Sequence, residues 1–127
     1  MEKLVFSTGV EEYALENGSV LRFNPRDPGV LERFLALEEK FKTLKPQGQT
    51  PAQKWSDADI QCRQMLAEVF PGNTFEEILG PGNCLALCEN GASVVGNFLT
   101  AVEGILERGV KVLMEEAIAR AKERRGE

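Results

Sequence analysis

The sequence has no histidine. That removes the commonest general base and excludes serine–histidine and cysteine–histidine nucleophile schemes. Cysteine is sparse: Cys62, Cys84 and Cys88. An odd count with no export signal argues against a disulfide framework. Cys84 and Cys88 stand four apart, but a structural zinc site takes four ligands, and with no histidine the set would need Cys62 and a carboxylate. Free buried thiols acting as small apolar groups are expected instead, with no metal and no other cofactor. No run of about 18 uncharged apolar residues occurs, so no membrane span is expected. The start MEKLVFSTGVEEY is too acidic for a signal peptide, and a cytoplasmic location is expected. Basic residues are outnumbered, 15 Lys and Arg against 20 Asp and Glu, for a net charge of −5. Such a surface is a poor partner for nucleic acid. The one basic cluster, Arg120, Lys122, Arg124 and Arg125, reads as cations at a helix C-terminus.

What is present fits one domain over 1–127, a length of 127 residues. The hydrophobic fraction is 43% and the charged fraction 28%, ordinary for a globular chain. Asn17-Gly18 is a hairpin turn signal between EEYALE and SVLRFN, predicting strands at 11–16 and 19–24. The run KLVFS at 3–7 can add a third strand. A stiff corner follows at Asn24-Pro25-Arg26-Asp27-Pro28. Asn24 and Asp27 each precede proline and must stay extended. Asp27 thereby suits an N-cap and Pro28 the first helical position. Replacing Asn24 by alanine is expected to be mild, and replacing Asp27 to cost about 1 kcal/mol.

Beyond the corner the chain reads as helical through 28–125. Val30, Phe34, Leu37, Phe41 and Leu44 make one apolar stripe, widened by Leu31 and Leu35. Residues 45–54, KPQGQTPAQK, read as a flexible loop. Ser56-Asp57-Ala58-Asp59 matches a capping box that opens a helix running to about Phe70. Thr74-Phe75-Glu76-Glu77 matches another, opening a short helix closed by Gly80. A long helix is predicted from about Ser93 to about Lys122. About 30 residues make about 45 Å, so it projects past the core, bends, or breaks near Gly109. Gly96, Gly104 and Gly109 point to close packing or a bend. The class is α+β: an N-terminal hairpin or three-stranded antiparallel sheet over 1–24, then a bundle of three main helices and one short one.

Chemistry is thinly signalled. The pairs Glu11/Glu12, Glu38/Glu39 and Glu76/Glu77 are adjacent, and neighbours on a helix do not face each other. GPGN at 80–83 lacks the ending of a phosphate loop. No catalytic, cofactor-binding or metal-binding residues are assigned. Candidate protein-interaction residues are Trp55, Phe98, Val102, Ile105, Leu106, Val110 and Leu113, the last six from the long helix's stripe.

The stretches EYALENG, VLRFNPRDPGVLERF, SDADIQCRQMLAEVFPGNTFEEILG and NFLTAVEGI, in this order, resemble tail-module proteins of phages and prophages of Gram-positive bacteria. The corner Asn24-Pro25-Arg26-Asp27 stands where such proteins carry an "NP-x-D" motif. The resemblance implies a non-catalytic tail assembly chaperone in the host bacterial cytoplasm. It would bind the tape-measure protein, recruit the tail-tube protein, and self-associate as a homo-oligomer. A structural tail or head–tail connector component is the alternative, and a small carboxylate- or cysteine-dependent enzyme a weaker one.

Overall fold

The computed structural model describes residues 1–126. Strands β1 (Glu11–Ala14) and β2 (Val20–Phe23) pair antiparallel, with Tyr13 opposite Leu21 and Ala14 opposite Val20. Gly18 turns the hairpin at φ +87°, a conformation that glycine tolerates best. Leu21 and Phe23 are buried while Arg22 between them is exposed, the alternation of a sheet with one wet face. Both strands are shorter than predicted. Residues 1–10 form no strand, so the two-stranded alternative holds. The outer edge of β2 is satisfied by a side chain. The Arg22 N–H donates to Asn73 Oδ1 and Asn73 Nδ2 donates to the Arg22 carbonyl, both at 2.8 Å. Asn17 Nδ2, at the hairpin turn, donates to the Glu77 and Ile78 carbonyls.

The corner is built as the prolines require. Asn24 Oδ1 accepts from the Arg26 N–H at 2.9 Å, and its Nδ2 donates to the Thr8 carbonyl at 3.1 Å. Asp27 is extended (φ −90°, ψ 114°), and its Oδ1 accepts from the Gly29 N–H at 2.8 Å. Helix α1 (Pro28–Lys42) starts on that cap, with proline in its first turn. Pro25 is buried. A Cβ built on Gly109 would collide with the Pro25 carbonyl oxygen, so the corner seats directly on the backbone of the last helix.

Helix α2 (Pro51–Val69) begins inside the segment that reads as a loop. Its N-cap is Thr50, whose hydroxyl accepts from the Gln53 N–H at 3.1 Å while Gln53 Oε1 accepts from the Thr50 N–H. The capping box expected at Ser56 is therefore replaced by one six residues earlier. Pro51 at the first helical position costs no hydrogen bond. Asp59, freed from that role, accepts from the Arg63 guanidinium and from the Cys84 N–H. Helix α3 (Phe75–Ile78) forms as a single turn, but Thr74 makes no side-chain cap bond. The side-chain bond expected there is absent, and Asn17 closes the other end of the turn.

Helix α4 (Val94–Arg124) is unbroken for 31 residues. Ser93 caps it, its Oγ accepting from the Gly96 N–H at 3.0 Å. It runs through Gly109 without interruption, so of the three expected outcomes it projects. From Lys111 onward only Leu113 and Ala121 are half-buried.

The core is one cluster, with Leu21, Phe23, Val30, Leu37, Leu66, Phe70, Phe75, Val102 and Leu106 in it. Five phenylalanine and tyrosine rings run through it: Tyr13 to Phe23 to Phe70, then Phe75 and Phe98, with centroids 5.0–6.3 Å apart. Edge-on contacts such as Phe75 with Phe98, at 86°, suit the ring quadrupole. The architecture is α+β: a two-stranded sheet, then four helices.

Candidate functional site: an acid-rimmed groove between two helices

Helices α1 and α4 leave an open groove of about 520 Å³ between them. Leu31, Phe34, Leu35 and Phe41 line it from α1, and Leu99, Leu106 and Val110 from α4. Leu37 and Leu106, both buried, form the part nearest the core. Three carboxylates stand on the groove, Glu38 on α1 and Glu103 and Glu107 on α4. Leu35 is 65% exposed, a large apolar side chain at a position that its helix could have filled with a polar one. The arrangement is an apolar trough with anionic flanks and no base on it. It can take an amphipathic helix whose apolar face enters the trough and whose cations meet the flanks.

Two polar clusters elsewhere are structural. Arg63 is 7% exposed. Its Nε donates to Asp59 Oδ1 at 3.0 Å, Nη1 to the Phe75 carbonyl at 2.7 Å, and Nη2 to the Gly80 and Gly82 carbonyls at 3.0 and 2.7 Å. One guanidinium thus ties α2 to α3 and to the loop after it. Burial works to raise the Asp59 carboxyl, but the Cys84 N–H and thiol and the Arg63 charge outweigh it and hold the group below its ordinary value. Cys62 and Cys84 are buried, and the Cys84 thiol donates to Cys62. That bond lowers Cys62 and, with burial, pushes Cys84 well above the ordinary thiol range. The second cluster is at the hairpin. There the Tyr13 hydroxyl donates to Glu11 at 2.8 Å, and Arg26 reaches Glu11 at 3.0 Å. Burial, then this bond, pushes Tyr13 up to about 12. Among the described residues no group of three Cys, Asp or Glu is placed to hold a metal ion.

The candidate interaction residues separate into three groups. Val102 and Leu106 are 2% exposed and belong to the core, while Phe98 and Ile105 pack against it. Val110 lines the groove and Leu113, half-buried, lies one turn beyond on the same face. Trp55 sits within α2 rather than ahead of a helix and is 60% exposed. Sequence reasoning missed the α1 wall. Leu31 and Leu35 were visible only as residues that made the α1 stripe wider than one core contact needs.

No family model, no curated protein and no solved structure matches this chain. Among the described residues no helix is long and apolar enough to cross a membrane.

Proposed function

We propose that the protein is a non-catalytic assembly chaperone that holds an amphipathic helical segment of a partner protein in the α1–α4 groove. The observation that carries this reading is the groove itself: an apolar trough edged by Glu38, Glu103 and Glu107. Apolar anchors at helical spacing supply the attraction in such complexes. The acidic flanks select partners with Lys or Arg beside the apolar face and repel acidic ones. The net charge of −5 keeps an open apolar surface in solution. The resemblance to tail-module proteins supplies the partner's kind: a long, helical tape-measure protein held before tail polymerisation, with the tail-tube protein recruited to the same complex.

A labelled synthetic helix of about 20 residues (about 30 Å long), with leucines at i, i+3, i+4 and i+7 and lysines beside them, tests the reading by fluorescence anisotropy. Saturable binding is expected, weakened about tenfold or more by Leu35→Glu. It should also weaken when the peptide's lysines become glutamates. Leu35 is exposed, so its replacement leaves the core intact. Absence of binding, or binding indifferent to Leu35→Glu, refutes the proposal.

A further inference from the structure

We propose that the protein on its own is a dimer in which the outer half of α4 lies antiparallel in the groove of a second copy. This rests on the reading of the groove as a protein-docking surface and names its resting occupant.

The first observation is continuity. The α4 wall of the groove is Leu99, Glu103, Leu106, Glu107 and Val110. At 3.6 residues per turn, that face runs on through Leu113, Ala117 and Ala121. Met114 and Ile118 flank this extension and are 61% and 54% exposed. One apolar stripe therefore begins inside the groove and leaves it, past the end of the core.

The second observation is charge order along that stripe. Its inner part carries acid, Glu103 and Glu107, and its outer part carries base, Arg120 and Arg124. All four are exposed. A face with acid first and base last complements itself only head to tail. Setting Leu113 against Met114 of the second copy places Val110 opposite Ala117, Glu107 opposite Arg120 and Glu103 opposite Arg124. Two-fold symmetry repeats every pair. The small Ala117 lets the backbones approach where Val110 needs room. A parallel pairing would instead set Glu103 against Glu103 and Arg124 against Arg124, which is repulsive. Arg120 now meets Glu116 at 3.2 Å with both side chains exposed, a contact easily exchanged for a partner's carboxylate.

The test is a charge swap read by light scattering. One variant carries Glu103→Arg and Glu107→Arg, the other Arg120→Glu and Arg124→Glu. Each has like charges facing in its own dimer, whereas the mixture restores every attractive pair. The wild type should have the mass of two chains, each variant of one, and the equimolar mixture of two again. A monomeric wild type, a variant that stays dimeric, or a mixture that stays monomeric overturns the proposal. A salt series on the wild type needs no variant. Raising ionic strength from about 0.05 to about 0.5 M shortens the screening length and should weaken the dimer several-fold; a salt-indifferent dimer also overturns it. The peptide titration, repeated on the Arg120→Glu/Arg124→Glu variant, separates the two readings. A monomeric wild type that binds the peptide refutes the dimer alone, and a dimer that never binds it refutes the chaperone reading alone.

Discussion

Gly109→Ala probes the seating of the proline corner on α4. In an open helical position the change would be favourable, because alanine is better than glycine by about 1 kcal/mol. Gly104, one turn and a half earlier, is such a position: its nearest neighbour for an added Cβ is the tip of Arg108, 4.0 Å away. At Gly109 the new methyl meets the Pro25 carbonyl oxygen and carbon. That obstacle is backbone, and two prolines, Pro25 and Pro28, hold its dihedrals. It cannot swing aside as a side chain would. Overpacking of this kind costs about 1–3 kcal/mol before the helix gain is subtracted. The upper half of that range applies to a fixed obstacle, so a net loss of about 1–2 kcal/mol is expected. For a chain of this size that is a drop of roughly 4–8 °C in Tm. Gly104→Ala should shift Tm upward by a few degrees. The pair, measured by circular dichroism in parallel melts, cancels errors common to both. If Gly109→Ala is as stable as Gly104→Ala, the corner does not rest on the helix and the account of how α1 and α4 are spaced fails.

Other outcomes follow from single side chains. Asp27→Ala should lose about 1 kcal/mol with the cap of α1; Asn24→Ala, expected to be mild from sequence, should lose a similar amount, because it removes the bonds to Thr8 and Arg26, and urea unfolding of both reads the comparison. Thr50→Ala should cost about 1 kcal/mol and Ser56→Ala almost nothing, since Thr50 caps α2. Arg63→Met should lose about 3–5 kcal/mol in guanidinium unfolding, because Asp59 and three backbone carbonyls lose a buried partner. The Asp59 carboxyl is held below its ordinary value, so its contribution is present above about pH 4 and is lost as pH falls through the lower folded-state value. Asp59→Asn should therefore be less stable than wild type at neutral pH, with the gap narrowing in acid; a gap constant with pH contradicts this.

The corner, the hairpin and the long helix were legible because each rests on local chemistry. Proline restricts the residue before it, Asn17-Gly18 sets a turn, and the α4 stripe holds its period. The start of α2 was misread although its signal was present. Thr50-Pro51-Ala52-Gln53 is itself a capping box with proline at the first position, but KPQGQTP also has the composition of a linker, and Ser56 offered a second match downstream. Asp59 looked like a cap residue because its partners, Arg63 and Cys84, are chosen by tertiary packing. The bonds of Asn17 to the end of α3 and of Asn73 to β2 span 51 residues or more, and no local pattern carries them. The groove was hidden for a different reason. An apolar stripe on α1 has the same period whether it closes a core or lines a trough, and only the spacing of α1 from α4 decides which.

The most direct measurement is an amide NMR titration of the isotope-labelled chain with the lysine-flanked helical peptide. The account predicts shifts concentrated on Leu31, Leu35, Leu99, Glu103 and Glu107, with Trp55 and the hairpin unchanged. Shifts centred on Trp55, or a spectrum that the peptide leaves unaltered, would contradict it.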